Sequence, residues 1–283
     1  MAGPTKKPRK PTEPQSDDKS MSDESESGTY QGQQEVQATF EGRNPEGQDF
    51  HGIKQLLLQL FLKAHIDLSQ MSDMLISQTG IGSVLKQSYD DDEDEDDNMD
   101  LSEDSNVFGI TSVINLTSHR ETPCVQQFFT LLEDLTKQHA NKGVQDNITK
   151  VLQSKKLGFL INERFVNIPA KISAAMLNSL LDEMERIKKK NSSYDFDYLI
   201  IICKTCKSKG GNDDEEIYSN DEEELFTKAA DATFDFCVEK ETDVGLGGKW
   251  LSEDKQMIPY RRVVIFKGSK FKDLVSQISI LVQ

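Results

Sequence analysis

The sequence predicts an α/β fold: a single domain with a mixed β-sheet flanked by helices, plus disordered acidic segments. Two patterns predict the fold, and a third predicts the acidic extras. Apolar residues recur at helical spacing in several windows, and short β-branched runs fall between those windows. Phe196–Cys203 holds four consecutive strongly apolar residues, as a strand buried on both faces would. The excess of acid over base is bunched into two runs rather than spread along the helices.

Residues 1–48 are read as a disordered tail, because Pro, Ser, Gln, Gly and charges dominate and Val36 and Phe40 show no period. From Phe50 the pattern turns helical, with Ile53, Leu56, Leu57, Leu60 and Phe61 on one face. Asp67 and Gln70 suggest a capping box for a second helix whose inward face is Leu68, Met71, Met74 and Leu75, with Gly80 as its stop. Val107–Leu116 is β-branched and apolar, hence a strand. Thr122 and Pro123 sit as N-cap and first helical residue ahead of Val125, Phe128, Leu132 and Leu135. Val144, Ile148, Val151 and Leu152 mark another helix, and Leu157–Ile161 a short buried strand. Pro169 opens a long helix along Ile172, Met176, Leu180, Met184 and Ile187, closed by Lys188–Lys190 at the negative end of its dipole. In the last third, Glu222–Ala230 reads as a helix, Thr233–Val238 and Tyr260–Phe266 as strands, and Phe271 to Leu281 as a final helix.

The 283 residues carry 33 Lys+Arg against 49 Asp+Glu, a net charge of -16. Residues 90–104 hold eleven acids and no base, and residues 213–224 hold eight more. Setting both runs aside leaves 30 acids against 33 bases, so the remaining chain is close to neutral. The domain organisation read from this is a tail over 1–48 and an α/β domain over 49–283, with an acidic loop at 90–104 and an acidic insertion at 207–224. Bulk charge of this sign excludes a nucleic-acid binder that works by Lys/Arg density, and it fits a basic protein partner. Either the runs keep the protein soluble or they bind such a partner; Asp90, Asp91, Asp92, Glu93, Asp94, Glu95, Asp96 and Asp97 are the candidate partner-binding residues. No apolar run reaches the roughly 18 residues that span a bilayer, and no secretory signal is seen. Four scattered Cys make no disulfide framework and suggest a reducing compartment.

No catalytic constellation is found. Cys203-Lys-Thr-Cys206 has the spacing of a metal or redox pair, yet Cys124 and Cys237 offer no second close pair. It also follows an Ile-rich strand rather than opening a helix. His51, His65, His119 and His139 form no HExxH, and neither a G-x-S-x-G elbow nor a P-loop occurs. The glycines at 80–82 and 245–248 suit tight turns better than phosphate cradles, since the strand-before, helix-after context is missing. The expectation is no metal, no cofactor and no enzyme. Lys6, Lys7, Arg9 and Lys10 form a basic cluster read as a nuclear import signal, with a nonspecific nucleic-acid contact as the alternative. Ile53, Leu56, Leu60 and Leu62 fit an export-signal spacing but also a helix core. Gly247, Gly248, Lys249 and the lone Trp250 are either a turn plugging the sheet or an interface anchor.

Several colinear segments resemble the BCCIP family. They are Asp49-Phe-His-Gly-Ile-Lys-Gln-Leu-Leu-Leu-Gln-Leu-Phe-Leu-Lys63, Ile81-Gly-Ser-Val-Leu-Lys-Gln87 before an acid run, Phe108-Gly109, Asn115-Leu116-Thr117, Asn162-Glu-Arg-Phe-Val-Asn-Ile-Pro169 and Leu246-Gly-Gly-Lys-Trp250. The resemblance covers about residues 49–283 and leaves the tail unmatched. It implies a nuclear protein that shuttles to the cytoplasm and escorts a basic large-subunit ribosomal protein. It also implies animal partners in recombination (a tumour suppressor) and cell-cycle control (a cyclin-dependent-kinase inhibitor), and a fold like the GCN5-related acetyltransferases without their activity. Those enzymes hold the cofactor pyrophosphate with Q/R-x-x-G-x-G/A. Here Gln78-Thr79-Gly80 is one residue short, and Thr242 stands where Gln or Arg is needed before Gly245.

Overall fold

A computed structural model describes residues 39–88, 106–190, 192–208, 216–242 and 257–282. Strand β1 spans Thr39–Arg43, helix α1 Phe50–Phe61, α2 Leu68–Ser77, β2 Ser83–Ser88 and β3 Gly109–Asn115. Then come α3 Pro123–His139, α4 Lys142–Leu152, β4 Leu157–Arg164, α5 Ala170–Lys188, β5 Tyr198–Ser208 and β6 Glu216–Tyr218. Helix α6 Glu223–Lys228, strands β7 Ala232–Cys237 and β8 Met257–Lys267, and helix α7 Phe271–Leu281 complete the chain. One sheet runs β1-β2-β3-β4-β5-β8-β7, with β6 paired to β5 off that path. Every pairing is antiparallel except β4 with β5, which is what makes the sheet mixed.

The sheet separates two cores. Period-2 alternation sends Phe159, Ile161, Ile200, Ile202, Val263 and Ile265 to one face, against the apolar stripes of α1 to α4. It sends Leu160, Leu199, Ile201, Val264 and Phe266 to the other, against α5, α6 and α7. Burying each such side chain contributes roughly 1.5–3 kcal/mol, and the Phe128 and Phe159 rings add a tilted contact with centroids 4.4 Å apart.

Three departures from the sequence reading matter. The fold begins about ten residues before Asp49: β1 lies in the expected tail and pairs with β2 from Thr39↔Ser88 to Arg43↔Val84. The buried Asp49 carboxylate accepts from Arg43 Nη2 at 2.9 Å and from the Glu46 N–H at 2.8 Å, which ties this edge strand down. The capping box at α2 is half made. Asp67 Oδ1 accepts from the Gln70 N–H at 3.0 Å, but Gln70 Oε1 accepts from the Cys124 N–H at 2.8 Å instead of returning to Asp67, so α2 is bonded to α3. Finally, β4 does not stop at Ile161; it continues to Arg164 with all eight residues buried. Its polar end, Asn162-Glu163-Arg164, enters the interior.

Candidate functional site

Strands β4 and β5 pair only from Leu157↔Tyr198 to Phe159↔Ile200, although β4 runs on to Arg164 and β5 to Ser208. The two strands therefore part, and the Asn162-Glu163-Arg164 end of β4 faces the gap. Into it comes the segment after β6, where the Ser219 N–H donates to Lys204 O at 2.9 Å and Asn220 Nδ2 donates to Asn162 O at 3.0 Å. Glu222 and Glu223 follow, both fully buried.

The charges in the gap pair off. Arg164 grips Glu222 through both ends of its fork, Nη1 to Oε1 at 2.5 Å and Nη2 to Oε2 at 3.0 Å. Its Nε–H donates to Ile168 O at 3.0 Å, fixing the turn into α5. Lys204 is ion-paired with Glu163. That leaves Glu223, whose Oε1 accepts from Asn162 Nδ2 at 3.3 Å and from Asn220 Nδ2 at 2.9 Å. Burial, reinforced by Glu163 and Glu222, pushes its carboxyl up to about 8, so it carries a proton at neutral pH. With that proton the gap holds two carboxylates and two cations. Asn220 Oδ1 and Glu223 Oε2 are both buried without a hydrogen-bond partner. Burial also raises the Cys203 thiol well above its usual value, with Glu223 adding to the effect. A carboxyl and a thiol sealed from solvent meet no substrate, so these shifts report structure rather than acid–base work.

Outside the gap, Arg262 joins two strands by gripping both Glu216 of β6 and Asp235 of β7, each through two bonds of 2.6–2.8 Å. Lys207 of β5 donates to Asp235 at 2.7 Å. The expected acidic insertion at 207–224 is thereby corrected. Residues 207 and 208 end β5, 216–218 form β6, and Glu216, Glu222 and Glu223 are interior or paired groups rather than a solvated patch.

The sequence-derived sites fall elsewhere. Lys6, Lys7, Arg9 and Lys10, the run Asp90 to Asp97, and Gly247, Gly248, Lys249 and Trp250 all lie outside the described residues. The described residues stop at Ser88, the end of β2, and resume at Asn106. Cys203 and Cys206 are three apart on β5, where side chains alternate, so they project from opposite faces and form no pair. Gly80 and Gly82, at φ 72° and 85°, make the turn between α2 and β2. Among the described residues no three His, Cys, Asp or Glu are grouped to hold a metal ion. The buried cluster was missed from sequence, although three polar residues ending an apolar strand were a signal for it.

Comparison with known proteins places these features in context. A family model described as BCCIP matches residues 35–243. A Drosophila melanogaster protein named "Protein BCCIP homolog" is 44 % identical over 256 residues, covering 88 % of this chain and 86 % of its own. The Homo sapiens "BRCA2 and CDKN1A-interacting protein" is 34 % identical, covering 87 % of this chain and 81 % of its own. A solved structure, "Crystal structure of BCP1 from Saccharomyces Cerevisiae", superposes with TM-score 0.56 at 16 % identity, covering 86 % of this chain and 88 % of that one.

Proposed function

Since the chain belongs to the BCCIP family, we propose that it is a non-enzymatic nuclear binding protein that escorts a basic client, a large-subunit ribosomal protein, during ribosome biogenesis and nuclear export. The observation that carries this reading is the distribution of acid. Of the eight acids in the second run, Glu222 and Glu216 are paired with Arg164 and Arg262, and Glu223 is protonated in the interior. The first keeps eleven acids with no base among them. A free ribosomal protein exposes Lys and Arg meant for rRNA and would seize RNA nonspecifically. Carboxylates in a row speed encounter with such a surface and compete with RNA for it. The basic cluster Lys6–Lys10 supports nuclear import by transport factors.

The sheet is taken here as GCN5-related in plan but silent in chemistry. The parting of β4 and β5 is occupied by Asn220, Glu222 and Glu223, which supports a scaffold with no acyl cofactor. A second reading, an adaptor in recombination and cell-cycle control, is favoured by the names of the Homo sapiens and Bos taurus relatives. Affinity purification at moderate salt followed by mass spectrometry separates the two. A stoichiometric, basic ribosomal protein supports the escort; recombination or kinase-inhibitor proteins without it support the adaptor. Saturable acetyl-CoA binding by calorimetry would overturn the non-enzymatic reading.

A further inference from the structure

A second interior feature lies on the opposite side of the sheet from α5. A partly open pocket of about 250 Å³ lies between the C-terminal end of α1, α3, and strands β5, β7 and β8. Its walls are apolar, chiefly Phe61, Leu131, Leu135, Ile202 and Phe236, and three charged side chains reach it: Lys63, Glu241 and Arg261. Arg261 is 6 % exposed. Its Nε, Nη1 and Nη2 donate to the main-chain oxygens of Leu60, Tyr260 and Gln59 at 3.0, 3.1 and 2.6 Å. Two of its five N–H groups then have no acceptor among the described residues, and no described carboxylate makes an ion pair with it. Glu163, on the same side of the sheet, is already held by Lys204.

Glu163 and Glu241 act on this guanidinium only from beyond ion-pair distance among the described residues, and a buried guanidinium with no carboxylate in contact gains from an anion that completes it. Main-chain oxygens offset part of the cost of its burial and fix the fork in place. Leu62, the C-cap of α1 on the wall of the same pocket, has φ 52° and ψ -116° and is the one non-glycine residue at positive φ among those described. Strain of that kind persists only where surrounding structure enforces it, and it clusters at ligand sites. The three charged groups sum to one positive charge, which matches a monoanion.

We propose that this pocket binds a small apolar monocarboxylate, its tail between α1, α3 and Phe236 and its carboxylate on the two unspent N–H groups of Arg261. A carboxylate suits the planar fork, and an apolar pocket with a few placed polar groups is the usual form of such a site. The inference is independent of the client-escort reading.

The test uses the full chain with sodium octanoate, 1-octanol and octylamine as probes, read by calorimetry and by thermal shift. Octanoate should bind one to one with saturation, at least tenfold tighter than octanol, and octylamine should not bind. Leu131→Trp, which fills the pocket from α3, should abolish octanoate binding. Arg261→Lys should reduce the preference for octanoate over octanol at least tenfold, and because it keeps the charge it separates anion recognition from folding. Equal binding of octanoate and octanol would overturn the proposal. So would octanoate affinity indifferent to Leu131→Trp in a folded variant, or no saturable binding at millimolar octanoate because the chain's own side chains fill the space.

Discussion

Replacing Glu223 with Gln should make the protein more stable at alkaline pH and flatten the pH dependence of its folding. In the folded protein the Glu223 carboxyl titrates at about 8, and its ordinary value is 4.5. The native state therefore binds this proton more tightly than the unfolded chain does. For a group raised in this direction, the stabilisation is complete below the unfolded value and is lost as pH rises through the folded one. Each unit corresponds to about 1.36 kcal/mol, so the full window is on the order of 5 kcal/mol, and the part between about pH 5.5 and 8 is on the order of 3. Gln keeps an oxygen for Asn162 and Asn220 and carries a permanent N–H₂ where the acid carries its proton. It leaves Glu163–Lys204 and Glu222–Arg164 as two balanced pairs. Urea unfolding of both proteins at several pH values between about 5.5 and 8.5 reads the difference directly. The two should have similar stability at the acid end and diverge by about 2–3 kcal/mol in favour of Glu223→Gln at the alkaline end. Parallel curves, or a variant destabilised equally at every pH, would mean that Glu223 is ionised in the fold and that the charge balance of the gap is wrong.

Three further outcomes are expected. Glu222→Ala strands the Arg164 guanidinium in the interior, which should cost about 3–5 kcal/mol in urea unfolding; a loss under 1 would contradict the burial of that pair. Asp49→Ala removes the acceptor of Arg43 and of the Glu46 N–H, so amide exchange in Thr39–Arg43 should accelerate while β3, β4 and β5 stay protected; protection unchanged in β1 would show that its pairing to β2 suffices. Replacing Lys6, Lys7, Arg9 and Lys10 together by Ala should shift a fluorescent fusion toward the cytoplasm, and undiminished nuclear accumulation would assign import to another segment or to the client.

What could be read in the sequence, and what could not, follows from where the information sits. The helices were legible because each buries one stripe: Ile53, Leu56, Leu57 and Leu60 are all in the core, as their spacing requires. Strands β3 and β5 were legible because both faces are covered. Strand β1 was not, since an edge strand whose one shielded apolar side chain is Phe40 offers no alternation to detect. Nor was β6, three residues inside an acid run. The buried cluster was hidden for a different reason. Composition sees eight acids in 213–224 but cannot see that Arg164, 58 residues earlier in sequence, lies beside Glu222. Charge runs define function only after the ion pairs have been subtracted, and that subtraction needs three dimensions.

The central claim is that the first acidic run is a binding device. It is tested most directly by client association kinetics at two ionic strengths, comparing the wild type with a variant whose Asp90–Asp97 is replaced by a Gly/Ser linker. The melting temperature should be almost unchanged, because eight consecutive carboxylates repel one another and contribute little to folding. The wild type should associate faster at low salt and slow steeply as salt rises, since attraction is screened beyond about 8 Å at physiological strength. The linker variant should start slower, respond weakly to salt, and let the client aggregate on added rRNA. Identical rates and identical salt slopes for the two proteins would contradict the account and leave the acidic run as a solubility device.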